Sequence, residues 1–341
     1  MKQPSVTTAA PLRAGIRSTS QAILRFQSLF GLAAILVLSA ILSPVRDGRP
    51  IFLAPDNLLN IVRFASENGI IAVGMTLVIL TGGIDLSVGA VLALCAVGAA
   101  ACLMRYHLNV GVTVALVLAL GGLVGAVNGV VTTRFRVQSF ITTLAMLSAA
   151  RGAASLWSGN NAIPLAFGTD PGEASPLFKA LFAGHFTVFG LEIPTQLFYF
   201  VGAGALATFL LNRTGFGRHV YAVGGNAAAA HLSGVAVTRV QVTVFVVSGF
   251  LAGLAALLHA TAFEQGSPID GSGYELNAIA AVVIGGTSLS GGVGTVVGSM
   301  IGALILGILD NILGLRNIQS EYQAILKGII IVLAVVLQRK R

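Results

Sequence analysis

Asp85 lies in the stretch Gly82-Gly83-Ile84-Asp85-Leu86-Ser87, between two large apolar residues and directly after a long apolar run. A carboxylate in such surroundings is costly unless it is capped, paired or hydrated. Two readings are open for it. Its oxygens cap the start of the next helix by accepting freed backbone N–H groups, or it belongs to the gate of a polar pathway. The pattern returns as Gly285-Gly286-Thr287-Ser288-Leu289-Ser290, so both copies read Gly-Gly-x-x-Leu-Ser and both fall between closely spaced apolar runs. Paired glycines disfavour continued helix. Irregular backbone at membrane depth is tolerated only where protein or a water-filled cavity covers it. Matching interruptions in the two halves of a transporter point to its pathway. Ordinary tight turns with N-caps give the same pattern, so turn and pathway lining both stand for Gly82, Gly83, Asp85, Ser87, Gly285, Gly286, Ser288 and Ser290. Ser288 is uncharged where the first copy has Asp85, which does not support a proton relay through a symmetric pair.

Further polar side chains sit within apolar stretches: Asn128, Gln138, Ser139, Thr142, Thr143 and Ser148, with Asp310 and Asn311 further on. They line an aqueous route or bond neighbouring helices. Arg151 and Lys327 are expected to snorkel or to pair. Cys95 and Cys102 share one apolar run and read as small helix residues, with no partners for a metal or disulfide role. His219 and His231 are too far apart for metal binding. None of the four lysines follows a glycine, so the phosphate loop G-x-x-x-x-G-K-[ST] is missing. Neither a zinc-helix motif nor a nucleophile set appears at useful spacing, and an enzymatic role finds no residues to carry it.

The elements that must position these groups are set by composition. The chain is 55% hydrophobic and 9% charged, against about 25% charged in soluble domains. So much apolar surface needs lipid rather than water around it. Long apolar runs place transmembrane spans at 26–42, 68–81, 87–104, 110–131, 138–157, 196–211, 241–260, 275–286, 293–313 and 322–337, an all-α polytopic protein of about ten helices. Glycine ladders at Gly121, Gly125, Gly129 and at Gly294, Gly298, Gly302 put small residues on one helix face, grooves for close backbone approach. With an internal amino terminus, twelve of the twenty basic residues fall inside and six outside, the asymmetry expected of cytoplasmic loops. Both termini are then cytoplasmic. Residues 1–25 form a basic tail and 26–341 one membrane domain. Within it, 158–195 is a partly ordered external loop with a short interfacial helix at Pro176–Ala183, and 212–240 is a cytoplasmic loop. In that loop Asn226 caps a short helix over Ala227–Ala230 that Gly234 ends, a knob for a partner's groove or an inert interfacial helix. The basic residues form no stacked-aromatic face, so the net charge of +8 does not indicate nucleic acid.

Three segments resemble permeases of ribose/xylose-type ABC importers: Gly74 through Val91, with its Thr-Gly-Gly-Ile-Asp-Leu-Ser core; Gly217–Gly234; and Ala281 through Thr295. The likeness runs from about residue 55 to the carboxyl end. It implies a type II importer membrane domain that moves a monosaccharide, pentose or hexose, across the inner membrane by alternating access. It implies four kinds of neighbour: a second permease copy or sister chain, a cytoplasmic ATP-binding subunit, a periplasmic or lipid-anchored sugar-binding protein, and membrane lipid. ATP and Mg would sit on the partner subunit, with no cofactor on this chain. The coupling helix maps to about Arg218–Ser233, which assigns Gly217, Arg218, Gly224, Gly225, Asn226, His231, Ser233 and Gly234 to ATPase coupling. The two glycine turns, with Asn128 and Thr142, fall to the pathway. The alternative is a secondary transporter or channel driven by an ion gradient, for which only Asp85 and Asp310 offer intramembrane acids.

Overall fold

The computed structural model describes residues 28–339 apart from Asp47, Pro171 and Phe189; the basic tail at 1–25 and the start of the first span lie outside the described residues. Thirteen helices carry the described chain: α1 (Ser28–Leu42), α2 (Pro55–Leu80), α3 (Val88–Met104), α4 (Val110–Arg134), α5 (Ser139–Ser158), α6 (Pro176–Ala183), α7 (Thr195–Arg213), α8 (Gly215–Gly225), α9 (Ala227–Leu232), α10 (Val237–Ala262), α11 (Tyr274–Ile284), α12 (Val296–Leu315) and α13 (Ser320–Arg339). Of these α2, α4, α7, α10 and α12 are long and apolar enough to cross a bilayer, while α1, α3 and α11 are shorter apolar helices.

The centre of the bundle is α3, whose residues Val88 to Leu103 are all buried. Around it stand α4, α5 and α10. The first glycine ladder does what its spacing predicts. A Cβ on Gly121 would strike the Gly249 carbonyl of α10, one on Gly125 the Phe245 carbonyl and one on Gly129 the Cα of Val242. α4 and α10 therefore cross with their backbones in contact, the most extensive helix pair in the molecule. The second ladder is shorter than expected. α12 begins at Val296, so Gly294 precedes the helix with φ +154° and only Gly298 and Gly302 lie on it, against Gly285, just past α11, and Ala281 of α11.

One expected span is an incomplete helix, and another is a short one. The run 275–286 is α11, with 11 residues or roughly 16 Å of helix, about half the hydrocarbon thickness. α3 is also short, at 17 residues, because the segment before it enters the bundle as non-helical chain. The run 68–81, by contrast, belongs to a helix that begins at Pro55.

The segment 158–195, expected to be an external loop, carries strand and helix among its described residues. Its strand β1 (Ile163–Pro164) pairs antiparallel with β4 (Gln265–Gly266), and β2 (His185–Val188) pairs with β3 (Leu191–Pro194). The expected short helix stands at Pro176–Ala183 as α6, with its Phe178 and Phe182 buried. Large apolar side chains such as Leu123 on α4, Ile141 on α5 and Phe209 on α7 stay exposed. Lipid covers such a surface where water would not.

Candidate translocation and coupling site

Both glycine turns end a helix in the same way. Gly82 N–H donates to Ile79 O and Gly83 N–H to Val78 O; Gly286 N–H donates to Val283 O and Thr287 N–H to Val282 O. Gly82 at φ +80° and Gly286 at φ +89° occupy the left-handed position just past the helix, where glycine carries no steric cost. The two repeats are thus offset: the first glycine of one pair and the second of the other hold the equivalent place.

Beyond the turns the copies diverge. The first dips into the bundle. Ile84 N–H donates to Ser139 Oγ at 3.1 Å and Leu86 N–H to Thr143 Oγ1 at 3.1 Å, two side chains one turn apart on α5. Asp85 is 1% exposed. Its Oδ1 accepts from Ser87 N–H at 3.0 Å and from the Ser87 hydroxyl at 2.6 Å, and its Oδ2 accepts from the Ser248 hydroxyl of α10 at 3.2 Å. Asn128 Nδ2 of α4 donates to Ser87 Oγ at 2.9 Å. The N-cap position of α3 is held by Ser87, and its side chain makes no cap bond, so Asp85 acts two residues ahead of that position. Its cage joins three elements, where the cap reading expected one. Ser248 was not legible as a member, since it is a single hydroxyl in an apolar run far along the chain.

The second copy stays at the end of the bundle. Ser288 Oγ accepts from Ser290 N–H at 3.3 Å, and Ser290 and Gly286 are exposed. Thr142 is buried but outside the cage, with Oγ1 unbonded, while Gln138 and Ser148 are exposed on α5. Asp310 pairs with Lys327 at 2.8 Å, and Asn311 exchanges hydrogen bonds with Asn57. Arg151 is likewise engaged, donating to the Pro268 and Asp270 carbonyls at 2.6 Å each. Cys95 and Cys102 are buried free thiols.

The two turns meet through a third segment. In 212–240 the structure shows α8 ahead of the expected short helix. Thr214 accepts from Gly217 N–H, and Val220 and Val223 are buried below it. α8 ends on Gly224 and Gly225. A Cβ on Gly224 would strike Leu80 O and Gly292 N, and one on Gly292 would strike Gly225, so all three backbones are in contact. Gly292 N–H donates to Leu80 O at 2.9 Å, and the Tyr221 hydroxyl donates to Gly294 O at 2.9 Å. Asn226 then caps α9, its side chain accepting from Ala229 N–H at 2.9 Å, and Gly234 closes the unit at φ +85°. Gly217 is buried against Leu211, whereas Arg218, Gly225, Asn226, His231, Ser233 and Gly234 are exposed. Leu232 is 87% exposed at the tip. An outward-facing knob therefore stands on a base locked into both turns.

A buried charge cluster between the middle of α2 and the carboxyl end of α10 has no counterpart in the sequence reading. His259 Nδ1 lies 3.0 Å from Glu67 Oε2 and its Nε2 lies 3.6 Å from Asp270 Oδ1; all three are nearly inaccessible. Asp270 Oδ2 also accepts from Ser267 N–H at 2.8 Å, which holds the loop ahead of α11 in place. Glu67 and His259 each border an apolar run, and an ionisable residue there is a functional candidate by default. That signal was available.

The sequence has counterparts among known proteins. Residues 57–335 match the family described as branched-chain amino acid transport system / permease component. The chain belongs to this permease family. Among relatives, the ribose import permease protein RbsC of Escherichia coli K12 is 44% identical over 91% of this chain and 93% of its own length. The L-arabinose ABC transporter permease protein AraH of Azospirillum brasilense is 37% identical over 86% of this permease and 82% of itself. The xylose transport system permease protein XylH of Escherichia coli K12 is 34% identical over 97% and 95%. No solved structure matches the permease.

Proposed function

We propose that the chain is the membrane subunit of an ATP-binding-cassette importer that carries a monosaccharide across a bacterial inner membrane by alternating access. It crosses ten times with both termini in the cytoplasm, works beside a second permease copy, receives sugar from an external binding protein, and is driven by ATP bound with Mg on a separate subunit. The relatives are named for ribose, arabinose and xylose, which supports a pentose-sized substrate.

One observation carries the coupling role: the exposed α8–α9 knob rests by its glycine base on the end of α2 at Leu80 and on the loop that follows the second glycine repeat at Gly292. A displacement of the knob by a partner has to move or break those backbone contacts. A Cβ on Gly224 has no room, but a Cβ on Gly225 meets nothing within 4 Å. Gly225→Trp is therefore expected to leave insertion and melting temperature unchanged while abolishing ATP-driven sugar uptake. Uptake at the wild-type rate would remove the coupling assignment. In sealed vesicles ATP, and not an ion gradient alone, is expected to drive accumulation; the reverse would point to a secondary transporter.

A further inference from the structure

We propose that a cavity between α2, α11 and α12 is a subsite for an uncharged polyol, one stop on the sugar's route through the permease; the inference rests on the importer reading above. The cavity measures about 450 Å³, within the range of small-molecule sites. Its wall carries Asn68 from α2, Tyr274 and Asn277 from the first turn of α11, and Asp310 and Asn311 from α12, with the ring of Phe64 beside them. Amides, a phenol and a carboxylate are the groups that bond neighbouring hydroxyls, and an aromatic face suits the C–H side of a sugar ring.

Two features fit a ligand better than bare packing. Asp310 is neutralised by Lys327 at 2.8 Å, so the wall offers polarity without a free charge. That fits a neutral polyol and not an ion. Tyr274 is also held in place, its ring edge-on to His259 at 6.0 Å between centroids, and His259 is fixed by Glu67 and Asp270. The buried charge cluster is then a positioning device for one wall of the subsite. The location agrees as well. α11 is a half-length helix, and binding sites in transporters cluster at discontinuous helices.

The test uses the reconstituted complex of permease, ATP-hydrolysing subunit and sugar-binding protein, with radiolabelled D-ribose, D-xylose and L-arabinose as probes. Asn68→Leu and Asn277→Leu remove the hydrogen-bonding groups, Asn68→Ser keeps one, and Asn277→Trp fills the space. At saturating loaded binding protein, the two leucine variants are expected to hydrolyse ATP within twofold of wild type while delivering at least tenfold less sugar per ATP. Asn68→Ser is expected to recover part of that loss, and Asn277→Trp to behave like the leucine variants. Sugar delivered per ATP within twofold of wild type in both leucine variants would overturn the subsite, even with transport itself intact. A wild-type complex that moves none of the three sugars on ATP would overturn the importer reading first, and the subsite with it.

Discussion

At the residue scale, Asp85 shows how a lone intramembrane acid is accommodated without a cationic partner. It accepts three hydrogen bonds, two from Ser87 and one from Ser248, so both of its oxygens are partnered. Asp85→Ala would strand those donors inside the bundle at about 1–3 kcal/mol each. It is expected to lower the melting temperature of the detergent-purified protein well below that of Asp85→Asn, whose amide oxygen still accepts from Ser87. Equal melting temperatures would show that the cage does not hold the turn. The sequence made the acid conspicuous because Ile84 and Leu86 flank it. It could not show Ser248 or Asn128, which reach Asp85 and Ser87 only once α4 and α10 have packed. Glu67 and His259 were legible singly and became a cluster only across 192 residues of chain.

At the scale of elements, small residues decide where helices meet. The α4–α10 crossing puts Gly125 against the Phe245 carbonyl, while a Cβ on the neighbouring Gly122 would find its nearest atom at 3.9 Å. Gly125→Val is therefore expected to cost at least the roughly 1–3 kcal/mol of an overpacked core, read as a loss of folded protein on gel filtration, with Gly122→Ala close to wild type. A Gly125→Val protein as stable as wild type would mean that the backbones do not touch. The four-residue spacing made this ladder legible. The α8 helix was not, because four of its eleven residues are glycine, each disfavoured in a helix by about 1 kcal/mol. Burial of Val220 and Val223, together with the close fit of Gly217 and Gly224 against neighbouring backbone, overrides that preference. The expected span at 275–286 misled for a related reason: its apolar run is real, but only Tyr274–Ile284 is helical before the glycine turn.

At the scale of the whole molecule, composition and basic-residue distribution already defined a polytopic membrane protein, and the helical bundle with its apolar exterior agrees. Sidedness is the claim on which coupling depends, since a knob reached by an ATP-hydrolysing partner has to lie in the cytoplasm. Cys95 and Cys102 are buried, so a cysteine introduced at exposed Ser233 on the knob gives a clean signal. With a membrane-impermeant maleimide, Ser233→Cys is expected to be modified in inverted vesicles and spared in right-side-out vesicles. Modification in right-side-out vesicles would contradict the account and place the α8–α9 knob beyond the reach of ATP.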